Sequence, residues 1–90
     1  MTCLKVEIIE EDVVWRDLDG EVVILNLATG LYYGLEGAGS RMWQLLAEHR
    51  STDAVADLLA EEYDVERPRL ARDLETLVHR LADKSIVRIV

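Results

Sequence analysis

Few side chains in this sequence are of the types that catalyse reactions or bind metals, and they are not clustered. His49 and His79 have no cysteine or second histidine at metal-ligand spacing. Cys3 has no adjacent base that would convert its thiol into a nucleophilic thiolate. Ser40 and Ser51 stand where loops lead into predicted helices, positions in which serine usually caps a helix. The sequence therefore predicts no catalytic residue, no metal site and no cofactor.

The glycines and carboxylates also lack the spacing of a reactive site. Gly34, Gly37 and Gly39 are not followed by the Lys-Ser/Thr pair of a phosphate-binding loop, and they do not have dinucleotide-binding spacing. The acidic residues concentrate in predicted turns and on the polar faces of predicted helices. We therefore expect this chain to act by binding rather than as an enzyme.

The charge distribution makes nucleic acid an unfavourable partner. The net charge is −8, and residues 1–36 alone hold two basic and eight acidic side chains, a net of −6. Such a field repels a polyanion and suits a neutral or basic peptide better. Solubility alone explains the acidity equally well.

Length and composition predict one soluble, cytoplasmic domain that spans residues 1–90. Ninety residues leave no room for a second core. A single cysteine cannot form an internal disulfide, which fits a reducing compartment. The N-terminus has no basic segment followed by a long apolar run, and no stretch approaches the roughly 18 apolar residues of a membrane helix. We expect no membrane partner.

The N-terminal third of the chain has the pattern of β-strands joined by tight turns. Apolar residues alternate in part with charged ones, and Asp19-Gly20 tolerates the positive φ angles that tight hairpins require. A second turn contains Thr29-Gly30. The predicted strands cover residues 4–9, 13–16, 21–27 and 31–35.

The remainder of the chain has the pattern of three helices. The first ends near His49, Ser51 caps the second, and Pro68 lies in the first turn of the third. Residues 86–90 have the pattern of a terminal strand. The predicted fold class is α+β, resembling a winged helix-turn-helix domain, with an N-terminal three-stranded antiparallel sheet followed by three helices.

The strand at 21–27 is apolar on both faces, which a single layer of helices does not explain. Val22 and Ile24 point one way, whereas Val23, Leu25 and Leu27 point the other way. Three helices readily cover one face of so small a sheet. Either the first or the C-terminal strand covers the second face, or a partner does.

The strand Leu31-Tyr32-Tyr33-Gly34-Leu35 contains no charge and no proline. At a sheet edge such a strand lacks the usual protection against pairing with another chain, and it is suited to the addition of a peptide as an extra strand. Alternatively, another strand of this chain covers the edge, or the edge pairs in a homodimer. If a peptide pairs here, Tyr33→Pro should abolish its capture, because proline removes a backbone donor.

Backbone pairing alone would give weak binding, so a peptide site also needs an apolar groove. A few new hydrogen bonds contribute only a few kcal/mol at about 0.5–1.5 kcal/mol each, and much of this is lost to ordering. The third helix can form the other wall, since Leu74, Leu77 and Leu81 share its apolar stripe. Asp73 and Arg80 flank that stripe and could orient a peptide. The leucines are equally explained as core residues.

Residues 15–35 and 42–46 resemble the PQQ synthesis protein D family. The shared pattern is a strand, Thr29-Gly30, two aromatics, Gly-Leu, and then an aliphatic residue and Trp43 opening a helix. This resemblance implies a winged fold that recognises the leader segment of a ribosomally made precursor peptide. It further implies that the leader pairs with residues 31–35 and lies beside the third helix, residues 68–84.

The same resemblance implies partners and a pathway. The chain looks most like the free-standing leader-binding proteins of lasso peptide biosynthesis, which deliver a precursor to a leader peptidase and a macrolactam-forming cyclase. A chaperone that delivers a PQQ-type precursor to a radical enzyme is the nearest alternative. From a different class, an acidic winged-helix DNA-binding regulator has the support of three arginines at the start of the third helix, which are Arg67, Arg69 and Arg72.

Overall fold

The computed structural model describes residues 4–90, so Cys3 lies outside the described part of the chain. The strands are β1 (Val6–Ile8), β2 (Val13–Leu18), β3 (Glu21–Asn26), β4 (Leu31–Glu36) and β5 (Val87–Ile89). The helices are α1 (Ala38–His49), α2 (Thr52–Glu62) and α3 (Arg67–Asp83). None of these helices has the length and apolar character that crossing a bilayer requires.

The main sheet is antiparallel, with the strand order β2-β3-β4. Asp19 and Gly20 both have positive φ angles, 59° and 92°, which is the geometry of a type I′ hairpin turn. This turn lets β2 continue to Leu18, two residues beyond the predicted end, where Leu18 pairs with Glu21. Three strands followed by three helices confirm the predicted α+β class.

The terminal strands do not cover the second face of this sheet. β1 and β5 instead pair with each other in a separate two-stranded sheet, Val6 opposite Ile89. The face away from the helices therefore stays open, with Val14 47%, Leu18 56% and Tyr32 73% exposed. The expectation that a terminal strand covers this face is wrong.

The helix-facing side of the sheet forms the core. Val22 and Ile24 of β3 are fully buried there, as the alternation predicts. Trp43 of α1 packs edge-on against Trp15 of β2, with ring centroids 5.7 Å apart and an interplanar angle of 86°. These contacts fix α1 against the sheet.

The starts of α2 and α3 follow from residues that the sequence singled out, whereas Ser40, which was expected to cap a helix, lies buried inside α1. The Ser51 hydroxyl accepts a hydrogen bond from the Ala54 amide and caps α2, as predicted. Pro68 lies in the first turn of α3, also as predicted. Before α1, Gly37 has a φ of 59° and a ψ of −132°, a conformation that is essentially restricted to glycine.

Ion pairs on the surface connect the three helices. The Arg41 guanidinium of α1 lies 2.5 Å from the Glu62 carboxylate of α2, and its hydrogen bonds lower the pKa of Glu62. Arg67 of α3 contacts Asp57 at 2.6 Å and also bonds Asp53, both on α2. These groups are solvated, so each pair adds little stability and serves mainly to orient the helices.

Asn26 connects the β3–β4 turn to the end of α3. Its fully buried side chain donates to the carbonyl oxygens of Lys84 and Ser85, at 3.2 and 3.3 Å. The side-chain oxygen accepts from the amides of Ala28 and Thr29, at 2.9 and 3.3 Å. One amide thus satisfies backbone groups of two elements and fixes where β4 begins relative to the C-terminal end of α3.

Asn26→Leu should lower the free energy of unfolding by about 2–4 kcal/mol, because it leaves buried backbone donors and acceptors without partners. Urea denaturation followed by circular dichroism measures this change. Thr29→Ala is the matched control, since the exposed Thr29 hydroxyl accepts a single bond from the Leu31 amide and its loss should cost less than about 1 kcal/mol. Equal losses in the two variants would contradict this role for Asn26.

Candidate functional site

The outer strand β4 has one unpaired edge. It pairs with β3 on one side, and it stands at the end of the β2-β3-β4 sheet. No other strand among residues 4–90 covers it. Leu31 and Tyr32 are 57% and 73% exposed, so the strand is accessible from its first residue. Residues 31–35 thus form an open edge, one of the arrangements that the sequence allowed, and β4 extends one residue beyond the predicted strand to the charged Glu36.

The turn geometry identifies the β4 residues whose backbone faces outward. Leu18 and Glu21 close a two-residue hairpin, so they form a hydrogen-bonded pair, and such pairs alternate along antiparallel strands. The backbone groups of Glu21, Val23 and Leu25 therefore face β2, and those of the residues between them face β4. By the register of β3 with β4, the outward-facing backbone groups belong to Tyr32, Gly34 and Glu36.

This alternation changes the expected effect of the Tyr33→Pro substitution. Tyr33 pairs with Ile24, and its backbone faces β3 rather than the open edge. Tyr33→Pro would therefore break the sheet itself. The backbone donor at the middle of the open edge belongs to Gly34.

A hollow of about 90 Å³ lies between β4 and α3, and we call it the β4–α3 hollow. Its floor is apolar and its rim is cationic. The side chain of Tyr33 faces α3, where the Lys84 Nζ lies 4.8 Å from the centre of its ring, within cation–π distance. The lining residues are Tyr33, Gly34, Leu35, Leu77, Arg80, Leu81 and Lys84.

The α3 residues named from the sequence divide between this hollow, the core and a second hollow. Leu77, Arg80 and Leu81 line the β4–α3 hollow, although Leu77 and Leu81, at 8% and 4% exposed, also belong to the buried core. Leu74 is completely buried and lines neither hollow, so it is a core residue. Asp73 lines a separate hollow of about 220 Å³ between the helices, which we call the helical hollow. The structure therefore does not bring Asp73 and Arg80 together at one site.

Sequence reasoning missed Lys84 and the residues of the helical hollow. Lys84 directly follows the last residue of α3, four positions after Arg80, and both side chains line the β4–α3 hollow. The helical hollow is formed by residues of three helices and of the α2–α3 connection, so no local sequence pattern predicts it. Its lining residues are Ala38, Met42, Leu59, Tyr63, Val65, Arg69, Leu70 and Asp73.

Two features that a DNA-binding winged helix would use are engaged elsewhere. Arg67, at the start of α3, is bonded to Asp53 and Asp57. The strand after α3 pairs with β1 and does not form a wing hairpin. No group of three or more histidines, cysteines or carboxylates that could hold a metal ion occurs in the described range, 4–90.

Comparison with known proteins gives one family and two similar structures. The model of coenzyme PQQ synthesis protein D (PqqD) matches residues 21–87. The structure of TbiB1 in complex with the TbiA(beta) leader peptide is 41% identical, covers 87% of this chain and 91% of that one, and has a TM-score of 0.82. The structure of lasso peptide synthetase B1 complexed with the leader peptide is 26% identical, covers 93% and 98%, and has a TM-score of 0.83. No curated protein matches this chain.

Proposed function

The chain belongs to the PqqD family, and on this premise we propose that it binds the leader segment of a precursor peptide in lasso peptide biosynthesis. The observation that carries the proposal is an open strand edge directly beside an apolar hollow, β4 against α3. Both similar structures are complexes with leader peptides, and one of them is 41% identical to this chain.

The leader adds to the sheet as a strand next to β4. Its backbone exchanges hydrogen bonds with Tyr32, Gly34 and Glu36, whose donors and acceptors face outward. A fourth strand extends a sheet that already packs on α1, so the protein itself needs little reorganisation. The pairing supplies affinity that depends only weakly on the leader's sequence.

Specificity comes from the side chains that enter the β4–α3 hollow. A strand that pairs with β4 directs alternate side chains toward α3. A hollow of about 90 Å³ whose floor includes Leu77 and Leu81 accommodates part of one apolar side chain. Burial of that side chain adds the affinity that a few backbone hydrogen bonds do not supply.

Binding is the contribution of this chain, and the chemistry belongs to its partners. A leader peptidase and a macrolactam-forming cyclase act on the precursor that the chain holds. Keeping the precursor close to these enzymes raises its effective concentration at their active sites. The other precursor class, a PQQ-type peptide delivered to a radical enzyme, would use the same edge and the same hollow.

Titration of the purified protein with the leader of a precursor encoded beside its gene tests this function. Calorimetry or fluorescence polarisation should give a Kd in or below about the micromolar range. A scrambled leader of the same composition is the control and should bind at least about tenfold more weakly. If a folded protein binds none of the small peptides encoded nearby, the proposed function is wrong.

A further inference from the structure

The β4–α3 hollow carries two positive charges and no negative one. Arg80 and Lys84 both line it, and neither makes an ion pair with any residue between 4 and 90. Arg80 lies in the last turn of α3, and Lys84 is the residue that caps the C-terminal end of that helix. Lys84 contacts the Tyr33 ring but no carboxylate of residues 4–90, so in a chain whose net charge is −8 this hollow still has two cations without an anionic partner.

The other end of the same strand carries the opposite charge. Glu36 of β4 lies directly across from Glu21 of β3, and like charges in this position destabilise a sheet. Both glutamates line a hollow of about 250 Å³ that also includes Gly34 and Leu35, and we call it the acidic hollow. Neither glutamate has a cationic partner in the described part of the chain.

The two charged hollows lie along one continuous edge. Gly34 and Leu35 line both of them, so a single strand lying against β4 passes the acidic hollow at one end and the cationic rim at the other. A peptide with complementary charges would offset the repulsion between Glu21 and Glu36 and would give Arg80 and Lys84 a carboxylate partner. A peptide with the reverse polarity would instead place like charges against each other at both hollows.

We infer that the leader is selected by charge polarity: a basic residue lies beside Glu21 and Glu36, and an acidic residue lies beside Arg80 and Lys84. This inference rests on the proposed function. The described strand pairs are all antiparallel, and antiparallel pairing is the more stable form, so the added strand runs opposite to β4. The basic residue is therefore the N-terminal one of the two.

The strand register sets the spacing. A peptide residue opposite Glu36 projects to the same outer face as the Glu36 side chain, and the residue about three positions later, opposite Tyr33, projects toward α3. The peptide residue between them that also faces α3 lies opposite Leu35 and supplies the apolar side chain. The recognised order is basic, apolar and then acidic, within about three to five residues.

Selection of peptides from a displayed library of random dodecamers tests this order. The immobilised full-length chain should enrich peptides in which a basic residue precedes an acidic one around an apolar residue. The double variant Arg80→Glu with Lys84→Glu should enrich peptides with a basic residue at the second charged position. Arg72→Glu, an exposed change on α3 outside the hollows, should enrich the same peptides as the unmodified chain.

A synthetic peptide of the enriched sequence then gives the size of the effect. Replacing its acidic residue with lysine should weaken binding about tenfold at low salt, and less at high salt. Enriched apolar peptides without charge order, whose binding is lost in Gly34→Pro, would overturn the inference while leaving the proposed function intact. The reversed order would overturn it too. No enrichment at all would overturn both.

Discussion

Gly34→Pro is expected to weaken leader binding by about 30- to 150-fold while leaving the protein folded. The variant removes the backbone donor at the middle of the open edge and leaves a carbonyl of the bound leader without a partner. The loss of one hydrogen bond, which leaves its acceptor without a donor, reduces the free energy of binding by about 2–3 kcal/mol. The fold should tolerate the change, because Gly34 has no positive φ and proline is accepted at strand edges that face solvent.

Gly34→Ala is the matched control for this variant. It keeps the backbone donor, and a Cβ at Gly34 meets no atom within 4 Å. Its affinity should therefore lie within about twofold of the original, since no hydrogen bond is lost. Tyr33→Pro should instead destabilise the fold by about 1–3 kcal/mol, because its amide faces β3 and its loss leaves a backbone acceptor of β3 without a partner. Unchanged binding by a folded Gly34→Pro variant would show that the leader does not pair with β4.

Leu74→Ala and Leu77→Ala should separate the core from the binding surface on the apolar stripe of α3. Leu74 is completely buried beneath the hollows, so its truncation should lower the free energy of unfolding by about 2–5 kcal/mol. For a domain whose total stability is about 5–15 kcal/mol, that is a large fraction. Leu77 is also buried, so its truncation should lower stability too, but it forms part of the hollow's wall and its truncation should in addition weaken leader binding about tenfold.

Urea denaturation and leader titration of the same samples distinguish the two effects. Titrations are made under conditions in which circular dichroism shows each variant to be fully folded. Leu74→Ala should then bind the leader with nearly unchanged affinity, because no atom of Leu74 reaches the hollow. A larger loss of affinity in Leu74→Ala than in Leu77→Ala would mean that the leader does not occupy this hollow.

The sequence predicted the parts of the fold that are set by short-range chemistry. Asp19-Gly20 requires a tight turn, Ser51 caps a helix, and Pro68 starts one, and each of these was found where it was expected. The strand at 31–35 was likewise recognisable from the sequence, whereas its position at an open edge was one of several alternatives that the sequence left open. Local patterns of this kind depend on a few neighbouring residues, so they can be recognised in the sequence without knowledge of the tertiary structure.

The pairing of strands that lie far apart in the sequence could not be predicted in this way. Nothing near Val6 indicates that its partner is Ile89, and the expectation that a terminal strand covers the sheet failed for this reason. The leucines of α3 share one helical period, so periodicity alone could not show that Leu77, unlike Leu74, also borders the hollow. The backbone alternation along β4 likewise depends on a turn twelve or more residues away.

Because β1 pairs with β5, this domain is suited to insertion into other polypeptides. The chain enters through one of these strands and leaves through the other, which lies alongside it in antiparallel register. Neither strand lines the hollows beside β4. A domain whose entry and exit points are adjacent can be inserted into a surface loop of a larger enzyme, or circularly permuted, without stretching its host. A single recombination event could thus insert this peptide-recognition domain into an unrelated enzyme.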